Sequence, residues 1–137
     1  YQDEYKLILI DFLGHGKLQW IARFPTDLWW QEADQLIALL ESLNIKDVTL
    51  IETSGGVWGA VNAALRRSDL ITCVVADSFD GRTLRRGFAK ALIEEWVMAI
   101  NNLAARQFYQ WCQCDNWETS VNQDTEALLR RIDLGLP

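Results

Sequence analysis

The sequence has a single histidine, two prolines and three cysteines, and these low counts exclude several kinds of site. An odd number of cysteines does not suit a disulfide framework. Cys112 and Cys114 are too close in sequence for an easy mutual disulfide, and no histidine lies near them to complete a zinc site. Cys73 lies in an apolar run, where we expect a small core residue. We therefore expect no metal site and a reducing, cytoplasmic compartment.

The chain also lacks any run of basic residues and any long apolar stretch. Its 13 Lys and Arg residues against 19 Asp and Glu residues give a net charge of −6. An acidic chain of this kind is not expected to bind nucleic acid or an anionic membrane surface. No stretch approaches the roughly 18 apolar residues of a membrane span, and we expect no signal peptide. Half of the 137 residues are apolar, which is enough for the core of one domain.

The first half of the chain alternates between strand-like and helix-like segments. Strands are predicted over Tyr5–Asp11, Val48–Ile51 and Leu70–Ala76, because each is a short and nearly continuous apolar run. Helices are predicted from Thr26 or Asp27 to Leu43, and from Val57 to about Arg67. This order predicts an α/β fold with a parallel sheet of about three strands and crossover helices.

The second half has no strand candidate. Helices are predicted over Thr83–Ala105, Arg106–Cys114 and Thr119–Ile132, and the change of character begins at Gly81. The chain is therefore predicted to consist of an α/β core over residues 1–81 and an all-helical, cap-like segment over residues 82–137.

The most informative motif is Thr53-Ser54-Gly55-Gly56, which lies between a predicted strand and a predicted helix. A sharp turn through a serine flanked by glycines is how a nucleophile elbow is built, because the turn raises the hydroxyl above the sheet. The N-terminus of the helix that follows offers backbone N–H groups to a developing negative charge.

Together the motifs resemble the middle section of the α/β-hydrolase fold family. Asp11–Lys17 resembles the family's D-x-x-G-H-G-x-S loop, and Glu52–Gly56 resembles its G-x-S-x-G elbow. Leu70–Asp77 resembles the sixth strand, and the residues from Thr83 onward resemble the helical cap. The likeness covers essentially the whole chain, in the family's order and spacing.

This resemblance implies a serine hydrolase that acts on a small-molecule ester or related acyl substrate and needs no cofactor. Ser54 would be the nucleophile, and the Gly55 N–H would form half of the oxyanion hole. Asp77 follows the predicted third strand and is a candidate triad acid, although a strand-end carboxylate or a cap is the alternative interpretation. The apolar wall of the substrate pocket would come from four aromatic residues of the cap: Phe108, Tyr109, Trp111 and Trp117.

Three departures from the family pattern favour an alternative, a non-catalytic module. Neither the family's catalytic histidine nor its first oxyanion motif has a counterpart here, and His15 belongs to a loop that is structural in the family. Glu52 stands where the elbow has its first glycine, and a charged carboxylate there opposes an oxyanion. A nucleotide-binding, flavodoxin-like domain is a weaker alternative, because no G-x-G-x-x-G motif or P-loop follows any strand.

The resemblance also predicts a gap in the sheet. In the family the third strand lies between the fourth and fifth, and this chain resembles only the fourth to sixth. The exposed strand edges and apolar surface would then be covered by other parts of a longer enzyme, by a second copy in a homo-oligomer, or by a rearranged sheet. The start at Tyr1 without Met favours a fragment, truncated or engineered form.

Overall fold

The computed structural model describes residues 3–19, 21–22, 25, 27–79, 81, 86–113 and 117–118. Six elements follow one another in this part of the chain: α1 (Leu28–Ser42), β1 (Val48–Thr53), α2 (Gly56–Arg66), β2 (Ile71–Asp77), α3 (Phe88–Asn101) and α4 (Leu103–Gln113). Thr26, Cys114 and the helix predicted over residues 119–132 lie outside the described residues. The division into residues 1–81 and 82–137 stays a prediction. None of the described helices is long and apolar enough to cross a membrane.

Helix α1 forms over a helical apolar repeat, with Asp27 at the N-cap position, although the Asp27 side chain makes no capping hydrogen bond to the backbone. The Asp27 carbonyl accepts the N–H of Trp30 at 2.9 Å, and its carboxylate accepts the Gln31 side-chain amide, also at 2.9 Å. Asn44, with a φ of 51°, ends the helix region in the left-handed conformation that asparagine tolerates. The apolar repeat faces inward, and its buried members are Leu28, Ala33, Leu36, Ile37 and Leu40.

Strands β1 and β2 run parallel and are joined through α2. In their register Leu50 lies opposite Val74, and Thr53 lies opposite Asp77. Residues that lie opposite each other in a ladder project to the same face of the sheet, so Leu50 and Val74 share a face. That face packs against α1 and α2, and the resulting core contains Ala33, Leu36, Ile37, Leu40, Leu50, Ala60, Ala63, Leu70 and Ile71.

The prediction of a sheet of about three strands is wrong. Two strands are present among the described residues, and Tyr5–Asp11 forms no ladder with them. Leu9, in the middle of that segment, is 97% exposed. A strand is stabilised by the neighbour that pairs with its backbone, and an apolar run alone does not supply one. In the exposed segment water can bind the backbone groups instead.

The prediction that β2 is buried and that Cys73 is a core residue is also wrong. Helices α1 and α2 pack on one face of the sheet, and side chains on the opposite face are exposed. Cys73 is exposed there, and Ile51 on the neighbouring strand is 72% exposed. Parallel sheets are normally covered on both faces, so an open apolar face on a parallel pair is unusual.

The long helix predicted over residues 83–105 is interrupted at Asn102. This residue has an extended backbone, with φ −105° and ψ 118°, and ends α3. Its side-chain Oδ1 accepts the backbone N–H of Ala105 at 3.0 Å, which is the hydrogen bond of a helix N-cap and begins α4. The break lets the two helices pack on each other, with Trp96 of α3 in edge-to-face contact with Tyr109 of α4 at 6.4 Å.

Candidate functional site

Ser54 lies in the tight turn between β1 and α2, with its side chain exposed. Its φ of 53° is in the left-handed region. The Ser54 N–H donates to the carbonyl of Asp77 at 3.0 Å, which continues the strand ladder by one residue. Its carbonyl accepts the N–H of Val57 at 3.3 Å, so the same residue starts the helical turn. The turn therefore joins the end of the sheet directly to the N-terminus of α2.

Alanine is usually more stabilising than glycine in regular structure. We expect the left-handed backbone at Ser54 to reverse this order of stability. An L-residue in this region carries a steric cost of about 1 to 2 kcal/mol that glycine avoids. A glycine loses more conformational entropy on folding than an alanine does, and this costs about 0.5 to 1 kcal/mol. Ser54→Gly is therefore expected to have a higher free energy of unfolding in urea than Ser54→Ala, by up to about 1.5 kcal/mol.

Ser42 supplies the matched control, because it lies in the last turn of α1 and its hydroxyl donates to the Leu39 carbonyl at 2.8 Å. Both substitutions there remove the same hydrogen bond. Alanine should be the more stable of the two by a few tenths of a kcal/mol up to about 1 kcal/mol. If the alanine variant were the more stable one at both serines, the result would contradict a strained turn at Ser54.

A cleft of about 600 Å³ opens beside the turn. Its walls come from α1, the end of β1, the start of α2, the loop that follows Tyr5–Asp11, and α4. The lining residues are Ile10, Asp11, Phe12, His15, Gly16, Lys17, Leu28, Trp29, Glu32, Glu52, Thr53, Gly55, Gly56, Trp111 and Cys112. Thr53 and Gly55, the two neighbours of Ser54, belong to this lining, whereas Ser54 itself does not.

Glu52 occupies the cleft wall at the end of β1. Its Oε2 lies 2.7 Å from the position that a Cβ on Gly56 would take, so a side chain at residue 56 would displace this carboxyl. Burial raises the pKa of the Glu52 carboxyl above its ordinary value of 4.5. The shift means that the carboxyl takes up a proton more readily than a free glutamate does.

His15 lies on the wall formed by the loop. Burial lowers the pKa of its imidazole below the ordinary value of 6.5, although the Leu13 carbonyl and the Asp11 carboxylate act in the opposite direction. The neutral imidazole is therefore the form favoured near pH 7. The resemblance assigns His15 to a structural loop, and the structure puts it in the same cleft as Gly55 and Gly56.

Asp77, the candidate acid, lies across the ladder from Thr53. Its Oδ2 accepts the Thr53 hydroxyl at 3.1 Å and the Ser78 hydroxyl at 3.2 Å. The hydrogen bond from Thr53 joins the ends of the two strands, whereas the one from Ser78 is local to the end of β2. Asp77 is not part of the cleft lining that contains His15. Its role as a triad acid stays a prediction.

The four aromatic residues predicted to form the pocket wall divide into two groups. Trp111 lines the cleft and is 82% exposed. Tyr109 stacks on Trp117 with ring centroids 5.7 Å apart and an interplanar angle of 11°, and Trp117 is buried. Phe108 contacts the rings of both Tyr109 and Trp111. Trp111 alone of the four lines the cleft, and of the other three only Phe108 contacts its ring.

Sequence reasoning missed the contribution of α1 to the site. Trp29 and Glu32 line the cleft, and Glu32 is only 5% exposed. One signal in the sequence points to it, because Glu32 lies four residues after Leu28 and four before Leu36, within the apolar stripe of the helix. A carboxylate at such a position suggests a polar site rather than core.

No group of three or more His, Cys, Asp or Glu side chains gathers as metal ligands in the described part of the chain. Comparison with known proteins found no matching family model, no matching curated protein and no matching solved structure.

Proposed function

We propose that this chain carries the nucleophile elbow of a serine hydrolase of the α/β-hydrolase fold, acting on an ester or related acyl substrate. The observation that supports the proposal is the conformation of Ser54. An exposed serine with a φ of 53° ends a strand and immediately precedes a helix. Strained backbone clusters at sites where it positions a side chain for chemistry, and of the four described non-glycine residues with positive φ only Ser54 joins a strand directly to a helix.

In the proposed reaction the Ser54 hydroxyl attacks the acyl carbonyl, and its Oγ forms a bond to the carbonyl carbon. The carbonyl oxygen becomes an oxyanion beside the start of α2, where the Gly55 N–H and the helix dipole stabilise it. The alcohol then leaves with a proton, and water hydrolyses the acyl-serine. The cleft of about 600 Å³ has the volume of a small-ligand site. Trp111 supplies an apolar surface for the acyl chain.

A fluorophosphonate probe tests this proposal, because it forms a stable bond only with an activated serine. Intact mass of the folded wild type is expected to show one adduct, and peptide mapping should locate it at Ser54. The adduct should be absent in Ser54→Ala. Ser78 is the matched control, since it also has a φ of 53° and follows the other strand. Ser78→Ala should be labelled at close to the wild-type rate. An unlabelled wild type, or an adduct that persists in Ser54→Ala, would contradict the proposal.

The second candidate function is a non-catalytic scaffold, truncated or engineered from the same fold, that self-associates through a strand edge or apolar surface. The observation that favours it is the open sheet face with Ile51, Cys73 and Val75 exposed. A folded wild type that takes no probe would support this candidate over the first. For either candidate we propose a reducing cytoplasm as the compartment, consistent with the free thiols of Cys73 and Cys112.

A further inference from the structure

We propose that two copies of this chain associate by exchanging a strand, in which the segment Lys6–Ile10 of each copy pairs with the outer edge of β1 in the other. The inference is independent of the hydrolase proposal, and it gives the self-association of the second candidate function a defined contact. It is carried by two features of the described chain that complement each other. One is an apolar segment without a ladder, and the other is a strand edge without a neighbour.

The segment Lys6–Ile10 has the composition of a strand but not the surroundings of one. It consists of one lysine followed by four large aliphatic residues. Leu7 and Ile8 are exposed, and Leu9 is almost fully so. None of the backbone N–H groups of the segment donates to another residue in the described part of the chain, where the segment belongs to no helix or strand. An exposed run of this composition is prone to pair with a second chain.

The outer edge of β1 offers the groups that such a segment needs. Alternate residues of a parallel strand direct their N–H groups to opposite sides. The N–H groups of Val48 and Ser54 both donate to carbonyls on the β2 side, each at 3.0 Å. The residues that direct their N–H groups away from β2 are therefore Thr49, Ile51 and Thr53. No described strand occupies that side.

Charge and strand number favour this pairing over the alternatives. Native proteins commonly protect a strand edge with lysine or proline, and the six residues of β1 contain neither. The one charged residue of β1 is Glu52 and that of the segment is Lys6, so the pairing brings no like charges together. Two segments paired only with each other would form an isolated two-stranded ribbon, which is marginally stable. Addition to β1 instead gives a sheet of three strands.

The positions of the segment and of β1 suit a closed dimer. Ile10 and Thr53 line the same cleft, so the end of the segment and the end of β1 lie on one side of each copy. The loop that follows the segment is held to α4, because the Gly16 N–H donates to the Cys112 carbonyl at 2.8 Å. A two-fold contact requires that each copy offers both halves of the contact. The two exchanges can then form together, and the assembly closes at two copies.

The first test is the mass of the chain by light scattering as a function of concentration, in the wild type and in proline and alanine variants at Ile8 and Leu9. The wild type should approach the mass of two chains as its concentration rises. Neighbouring N–H groups of a strand point to opposite sides, so only one of the two positions lies in the ladder. At that position proline should raise the dissociation constant of the dimer at least about tenfold more than alanine does, because each copy loses a ladder hydrogen bond.

At the other position the proline and alanine variants should dissociate alike, since a proline is tolerated where its nitrogen faces solvent on an edge strand. Alanine is the matched control at each position, because it removes the side chain and keeps the N–H. Far-UV circular dichroism should be unchanged in all four variants, because the segment lies outside the core cluster.

The second test locates the acceptor edge by residue-resolved hydrogen exchange of the wild-type dimer and of the proline variant that fails to associate. The N–H groups of Thr49, Ile51 and Thr53 should be protected in the dimer and lose this protection in the variant. Those of Val48 and Ser54 should change less, since they are already bonded on the β2 side.

Three results would overturn the inference. The first is a wild type that keeps the mass of one chain up to about 1 mM. The second is a dimer in which proline and alanine have equal effects at both positions, which would mean an apolar contact without a ladder. The third is a dimer without added protection at Thr49, Ile51 and Thr53. Probe labelling at Ser54 is a separate measurement, so the hydrolase proposal stands or fails independently of these results.

Discussion

Replacing Leu40 by alanine is expected to lower the free energy of unfolding by about 2 to 5 kcal/mol, because it leaves a cavity between α1 and the sheet. Leu40 is 3% exposed and belongs to the core cluster with Leu36, Leu50 and Ile71. A domain of this size has a total stability of about 5 to 15 kcal/mol. The variant should therefore unfold at a clearly lower urea concentration than the wild type.

Leu65→Ala is the matched control for this measurement. The residue is also a helical leucine, on α2, but it is 79% exposed. Its removal should change the free energy of unfolding by no more than about 0.5 kcal/mol. If the two variants unfolded at the same urea concentration, the packing of α1 against β1 and β2 would not be the core of the folded protein.

The order of elements from α1 to β2 could be predicted from the sequence, because local signals determine it. The apolar positions of residues 28–42 recur at helical spacing, and Asn44 ends them. The short apolar runs at β1 and β2 are separated by a helix that begins at the second of two glycines. Each of these signals acts over a few residues, and the structure reproduces the predicted bounds to within one or two residues for most of them.

The number of strands could not be predicted in the same way. The run Tyr5–Ile10 has the composition of a buried strand, yet Leu9 is almost fully exposed. Whether such a run becomes a strand depends on a neighbour that pairs with it, and this is a property of the whole sheet. The same reason explains the error at Cys73, since its burial requires a layer on the second face. Local composition contains no information on that layer.

The part of the candidate site that is formed by consecutive residues could be predicted from the sequence. The parts that are formed by distant elements could not. The turn at Ser54 follows from four consecutive residues, and the structure has it at the end of β1. The opposite walls of the cleft come from α1, about 20 residues earlier, and from α4, more than 50 residues later. Their contributions, such as Trp29 and Cys112, depend on tertiary packing that sequence spacing does not encode.

The close approach of α1 and α2 at Gly59 should be as sensitive to substitution as the core. A larger side chain there is expected to change both the stability of the fold and the shape of the cleft. A Cβ on Gly59 would lie 3.3 Å from the Cβ of Glu32 and 3.8 Å from the Trp29 carbonyl oxygen. Gly59→Leu would force the two helices apart, and overpacking of this kind costs about 1 to 3 kcal/mol or more. Because Trp29 and Glu32 line one wall of the cleft and α2 begins at another, the same change should widen the cleft. We expect a lower urea midpoint together with slower probe labelling at Ser54.

Gly59→Ala provides the graded control. It gains up to about 1 kcal/mol from the higher helix propensity of alanine, and the tight contact with Glu32 offsets part of this gain. Its stability should therefore lie within about 1 kcal/mol of the wild type, with labelling little changed. If Gly59→Leu were as stable as Gly59→Ala and were labelled at the same rate, the helices would not meet at this residue. The cleft would then not depend on their spacing.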